Sequence, residues 1–214
     1  SLNGHIASVR YEYDGIGRLV GKSYSGDSFE VFSPYERFTY SIQGWEKERK
    51  LTIYEENDVY VSELHYYDAT AGSKPSYTGN ISSWDWRSCS APERSYKFAY
   101  DLHNRMTDCH EYEDGIQKDE HAEYDIQYDH NGNLLSMTRV NGEEPEVMLF
   151  VYDGNKRSGT QFSYDANGNL TDDLISYVNA EYNILNLPSV IYGDGDYYTE
   201  YVWLADGTKI MSDM

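Results

Sequence analysis

The sequence predicts an all-β chain of antiparallel β-hairpin repeats that form a curved or coiled sheet, and three observations carry this reading. Tyrosine occurs 23 times in 214 residues, and an apolar ring with a polar tip suits strands that have one packed and one wet face. Only 39% of residues are hydrophobic and the mean hydropathy is -0.74, which agrees with such half-wet strands. Glycine occurs 17 times, often in Asn-Gly, Asp-Gly or Gly-Asn pairs that supply the positive φ of tight hairpin turns.

Aligning the chain on a Tyr-Asp pair exposes an internal repeat. The first unit is Tyr13-Asp14-Gly15-Ile16-Gly17-Arg18-Leu19. A degenerate unit follows at Tyr40-Ser41-Ile42-Gln43-Gly44-Trp45. Residues 45–64 open on a charged run that reads as a turn of helix, then alternate like a strand, with a turn expected at Glu55-Glu56-Asn57-Asp58. Residues 68–95 carry Gly72, Pro75, Gly79 and Pro92, and read as a loop-rich excursion around Trp84-Asp85-Trp86.

The pattern resumes at Tyr100-Asp101-Leu102-His103-Asn104-Arg105-Met106. It is clearest at Tyr128-Asp129-His130-Asn131-Gly132-Asn133-Leu134 and at Tyr164-Asp165-Ala166-Asn167-Gly168-Asn169-Leu170. Tyr152-Asp153-Gly154-Asn155 is a truncated copy, and Tyr182-Asn183-Ile184-Leu185-Asn186-Leu187 a degenerate one. The last, from Tyr201 to Gly207, reads as a copy whose turn has slipped by two residues. The uneven spacing describes a loose array within a single domain over residues 1–214.

Each unit has one physical reading. Residues ahead of the Tyr alternate with strand period, as in Ala122-Glu123-Tyr124-Asp125-Ile126-Gln127-Tyr128. The Asp side chain then bonds backbone N–H groups two residues on, and Gly or Asn reverses the chain. An apolar residue such as Leu19, Leu134 or Leu170 opens the return strand. Neighbouring hairpins must pair to satisfy their edges.

The formal net charge is -20, with 37 acidic against 17 basic side chains. Such a surface repels phosphate backbones and anionic lipid, which argues against nucleic acid and membrane partners. No segment approaches the length of an apolar transmembrane span, so membrane insertion is not expected. Cys89 and Cys109 have no CxxC spacing, and the sequence leaves open whether they join. The chain begins Ser1-Leu2-Asn3-Gly4 and reads as a fragment of a larger exported protein.

No enzymatic motif emerges. GxSxG, HExxH and P-loop patterns are missing, and the six histidines show no paired spacing, so neither cofactor nor zinc is expected. Among 37 carboxylates some pair will lie within catalytic distance by chance, so a glycoside hydrolase ranks last. The candidate calcium ligands are Asp129, Asn131 and Asn133, with Asp165, Asn167 and Asn169, but the flanking helices and terminal Glu of an EF-hand are lacking. A hairpin-turn role explains them better. Trp84 and Trp86 share one strand face by their spacing and are the candidate sugar-stacking residues.

The Tyr-Asp-x-x-Gly/Asn-Arg/Asn-Leu units resemble the YD repeats of the RHS family, and the resemblance runs from about Tyr13 to about Ile210. Tyr77-Thr78-Gly79-Asn80-Ile81-Ser82 and the stretch from Tyr182 to Pro188 are similar to RHS proteins of Bacteroidetes in particular. The resemblance implies a β-ribbon that winds into a shell around a C-terminal toxin or variable domain. It implies an extracellular or cell-surface setting, with the rest of the parent protein and its cargo as partners. Under this resemblance Tyr13, Asp14, Gly17, Tyr100, Asp101, Asn104, Tyr128, Asp129, Gly132, Tyr164, Asp165 and Gly168 are structural repeat-turn residues. A carbohydrate-binding module that meets surface glycans is the alternative.

Overall fold

The computed structural model describes residues 7–26, 34–54, 57–70, 72–195 and 197–213. Every regular element among them is a strand. The first sheet holds eleven in chain order: β1 (Ala7–Tyr13), β2 (Leu19–Gly26), β3 (Tyr35–Tyr40), β4 (Glu46–Tyr54), β5 (Asn57–His65), β6 (Ser83–Ser88), β7 (Arg94–Tyr100), β8 (Met106–Glu113), β9 (Ile116–Tyr128), β10 (Leu134–Asn141) and β11 (Glu146–Leu149). A small ladder joins β12 (Tyr152–Asp153) to β13 (Lys156–Arg157). The third sheet holds β14 (Phe162–Tyr164), β15 (Leu170–Asp173), β16 (Val178–Tyr182), β17 (Pro188–Tyr192), β18 (Tyr198–Trp203) and β19 (Lys209–Asp213). Within each sheet, strands adjacent in sequence are neighbours in space. No helix among the described residues is long and apolar enough to cross a membrane.

By its internal contacts the chain forms two compact units, Ser1–Tyr128 with Ser136–Leu149, and Asp129–Leu135 with Phe150–Met214. The first unit has a core, and it includes Phe38, Val61, Tyr66, Ala122, Ile126, Met137 and Val140. It also buries a charge. Glu36 is only 6% exposed, yet it accepts from the Tyr24 hydroxyl and from Arg49 Nε at 3.0 Å and Nη2 at 2.8 Å. Burial alone would raise the Glu36 pKa, but the Tyr24 and Arg49 contacts hold it below the usual carboxylate value. In the second unit no described side chain is buried, although Tyr164, Tyr182 and Trp203 are half-buried.

Two expectations fail. The charged run at residues 45–50 is strand from Glu46 onward, not a turn of helix. Its cations find separate partners: Lys47 meets Asp68 at 2.6 Å and Arg49 meets Glu36. Cross-strand charge pairs of this kind replace helical ones. The excursion is also shorter than expected, because β6 begins at Ser83 and takes both Trp84 and Trp86 into the sheet. At the expected turn after Tyr54, Asn57 and Asp58 already belong to β5, and Glu55 and Glu56 lie outside the described residues.

The remaining loop, residues 66–82, is docked. Tyr66 is 5% exposed, packs at a tilt against Trp45 with centroids 5.0 Å apart, and donates its hydroxyl to the Glu46 carbonyl at 2.9 Å. Gly79 lies on the same indole: a Cβ there would sit 3.1 Å from Trp45 at a backbone φ of +97°. Gly79→Ala is therefore expected to destabilise the chain by about 1–2 kcal/mol, read from the urea midpoint.

Candidate functional site

The repeated turn is the site the sequence singles out, and one geometry recurs along the chain. In the first, Asp14 N–H donates to the Arg18 carbonyl at 2.9 Å and Gly17 N–H donates to the Asp14 carbonyl at 3.1 Å. The same two bonds recur for Asp101, Asp129, Asp165 and Asn183, and for Ser41 and Leu204. This is a three-residue hairpin loop, a type I turn closed by a residue in the left-handed region. The fourth position takes that conformation whether it is Gly17 at φ 87°, Gly168 at 89° or Asn104 at 64°. At six of these hairpins the register shifts just before the aromatic residue that precedes the turn, as at Glu12/Tyr13, Ala99/Tyr100 and Val202/Trp203.

The carboxylate of each unit belongs to its own loop. Asp101 Oδ1 accepts from His103 N at 2.8 Å and Arg105 N at 3.0 Å, while Oδ2 accepts from Arg105 Nε at 2.7 Å. These donors, the Arg105 backbone N–H first, pull its pKa down to about 2. Asp14 is lowered by the same set of bonds, led by the Arg18 backbone N–H. Asp129 and Asp165 are lowered chiefly by the Asn133 and Asn169 side-chain amides, which donate at 2.8 and 2.9 Å.

The candidate calcium ligands therefore meet N–H groups where a cation would sit. Asp129 Oδ1 accepts from the backbone of Asn131 and Asn133, and Asp165 Oδ1 from Asn167 and Asn169. Asn133 turns its amide to the Gly154 carbonyl and Asn155, and Asn169 to Asn186, so these side chains tie one turn to the next. Among the described residues no group of three or more His, Cys, Asp or Glu side chains could hold a metal ion.

What the tyrosine does was not legible in the motif. Its hydroxyl reaches back to the preceding hairpin and donates to the backbone carbonyl at the start of that hairpin's return strand. Tyr40 donates to Leu19 at 2.7 Å, Tyr128 to Met106 at 2.8 Å, and Tyr182 to Leu170 at 2.8 Å. Tyr100 donates to the Ile81 carbonyl in the loop ahead of β6, and Tyr164 to the Arg157 carbonyl at the end of β13. The arginine of the earlier turn lies over the arriving ring, Arg18 above Tyr40 at 5.0 Å and Arg105 above Tyr128 at 4.4 Å.

In the last unit Trp203 takes the tyrosine's place, its Nε1 donating to the Pro188 carbonyl at 2.6 Å. That corrects the expected slip: the turn runs from Leu204 to Thr208 in ordinary register, behind Trp203 and not Tyr201. Tyr13 is 62% exposed. Tyr128→Phe should therefore cost about 1 kcal/mol in urea denaturation, and Tyr13→Phe less than about 0.5 kcal/mol.

Trp84 and Trp86 lie side by side on β6, ring centroids 4.6 Å apart, and Trp86 stacks on Tyr96 at 5.4 Å. Trp84 Nε1 donates to Ser62 Oγ at 2.8 Å. Each ring covers part of its neighbour's face, the usual packing of aromatic side chains on a sheet. Both cysteines are free thiols, and burial pushes Cys109 up to about 11.

One titratable cluster lies outside the turns. Glu63 on β5 and Asp85 on β6 are directly opposite in register, and His65 Nε2 lies 3.0 Å from Asp85 Oδ2 and 4.0 Å from Glu63 Oε2. The Asp85 contact raises the His65 pKa above its ordinary value.

No family model matches the chain, and no curated protein does. Solved structures do match. The crystal structure of TcdB2-TccC3 is 15% identical with a TM-score of 0.54, covering 96% of this chain and 13% of that one. TcdB2-TccC3-TEV is 13% identical with a TM-score of 0.53, covering 96% of this chain and 12% of that one. A Photorhabdus luminescens Tc holotoxin pore carrying a TccC3 variant is 12% identical, with 95% and 13% coverage and a TM-score of 0.43. This chain thus spans about an eighth of those proteins, and at such identities the first two likenesses show a shared all-β fold of antiparallel strands.

Proposed function

We propose that this chain is a structural wall segment, a run of YD hairpins from a secreted or cell-surface RHS-type protein that encloses or presents a C-terminal toxin or variable domain. One observation carries the reading: four of the hairpins offer a backbone carbonyl at the start of the return strand and receive the aromatic residue of a later hairpin, which is how a wall lengthens by adding units of the same kind. The fold shared with TcdB2-TccC3 supports it. The Tyr-Asp pairs then serve as masonry, the Asp closing its own turn and the Tyr joining that turn to the one before. No catalytic role is assigned to any of these residues.

The test is the size and content of the native protein. Antibodies raised against this chain should detect a secreted or surface polypeptide several times larger than 24.8 kDa, with further Tyr-Asp hairpins flanking this segment in its peptide map. A native product close to the size of this chain, with no flanking repeats, would overturn the proposal.

A further inference from the structure

We propose that copies of this chain join head to tail, the β1 edge of one pairing antiparallel with the β19 edge of another. Both strands are sheet edges, β1 beside β2 alone and β19 beside β18 alone. Residues 8–13 and 209–213 are exposed without exception. Neither strand carries a proline, and a row of open N–H and C=O groups of this kind accepts a further strand. The inference uses the joint between hairpins described above, but it needs neither a parent protein nor a cargo.

The two edges are the unfilled halves of that joint. Tyr13 holds the donor position of the first hairpin, yet its hydroxyl is exposed and meets no acceptor among the described residues. The acceptor is the fifth residue after the one that opens the turn: Leu19 after Asp14, Met106 after Asp101, Leu170 after Asp165 and Pro188 after Asn183. Counting in the same way from Leu204 gives Lys209, whose carbonyl receives no side chain among the described residues.

The register of the new joint follows from the existing ones. β2 and β3 pair Gly21 with Arg37, which carries Tyr40 opposite Arg18, one residue before its acceptor Leu19. β15 and β16 pair Asp172 with Asn179, which carries Tyr182 opposite Asn169, one before Leu170. β17 and β18 pair Val190 with Glu200, which carries Trp203 opposite Leu187, one before Pro188. Tyr13 therefore falls opposite Thr208 of the next copy. That register sets Glu12 against Lys209 and Tyr11 against Ile210, an opposite-charge pair and an aromatic–aliphatic pair, both favourable across strands. Lys209 is ready for this role: its ammonium lies 5.4 Å from the Tyr201 ring and has no carboxylate partner among the described residues. A slip of one residue would lose both pairs and turn the strand over. The two copies use different surfaces, so a joined pair still offers one free β1.

The test follows the whole chain by sedimentation velocity from about 5 µM to about 1 mM, in about 0.15 M NaCl to screen repulsion between the acidic copies. The mass should rise with concentration from 24.8 kDa to multiples of it. Asp14 N–H points to β2, so by strand alternation that of Tyr11 points away, and Tyr11→Pro should abolish association while circular dichroism shows an unchanged fold. Tyr13→Phe should weaken association about fivefold and leave the urea midpoint nearly unchanged. Glu12→Lys and Lys209→Glu each set like charges across the joint and should weaken it about fivefold, whereas mixing the two variants restores opposite charges at every mixed joint and should restore association. A chain that stays monomeric to about 1 mM overturns the proposal. So does association untouched by Tyr11→Pro, or a mixture that associates no better than either variant alone. None of these failures touches the native-size test of the wall reading.

Discussion

Replacing Tyr66 by alanine is expected to lower the stability of the first unit by about 3–5 kcal/mol, the largest effect of any single truncation proposed for this chain. Three losses combine. The ring is 5% exposed, so its removal leaves a cavity. It abandons the Trp45 indole, which Gly79 contacts from the same loop. It also deletes the bond to the Glu46 carbonyl. Tyr66→Phe isolates that last part and should cost about 1 kcal/mol. Urea unfolding followed by tryptophan fluorescence measures both. If the alanine variant loses less than about 1 kcal/mol, the 66–82 loop is not docked as described.

Stability should pass through a maximum in mildly acidic solution and fall on both sides, for two separate reasons. On the acid side, Asp14, Asp101, Asp129 and Asp165 all titrate below their ordinary value when folded, Asp101 at about 2. A lowered folded pKa contributes stability that is present above the unfolded value of 3.8 and lost as pH falls through the folded one. On the other side, Asp85 raises His65 above its ordinary value of 6.5. Its contribution is complete below 6.5 and disappears as pH rises through the raised folded pKa.

The net charge of -20 at pH 7 tilts the curve the same way, because partial protonation relieves self-repulsion before the turn carboxylates are reached. Thermal unfolding from pH 2 to pH 9 should therefore peak at about pH 4.5–6. Asp101→Asn should soften the acid limb and His65→Asn the alkaline one. A melting temperature that climbs steadily up to pH 9 would refute the His65 assignment, and one that does not fall below about pH 4 would refute that of the carboxylates.

Much of this fold can be read from residues a few positions apart. The turns are local: an Asp, two residues, a Gly or Asn, then Arg or Asn, and each bond that closes them spans at most four residues. The strands follow because the turns leave nowhere else for the chain to go. The tyrosine contact is a different matter. It joins residues 7 to 22 positions apart, and that interval changes from one hairpin to the next. No fixed spacing betrays it, and a tryptophan can take the role, as Trp203 shows.

The charged segment that opens β4 was misread for a related reason. Lys47 and Arg49 look like a helical run until Asp68 and Glu36 arrive from 21 and 13 residues away.

The unbroken strand order of each sheet has a consequence for how the protein is made. Within each sheet every strand pairs only with its neighbours in the sequence. Low contact order of this kind favours rapid folding. It also lets structure grow from one end, each new hairpin templated by the finished one behind it. A polypeptide emerging from a ribosome or a narrow export conduit can therefore fold unit by unit as it appears. Each added strand then covers the edge left open by the one before it.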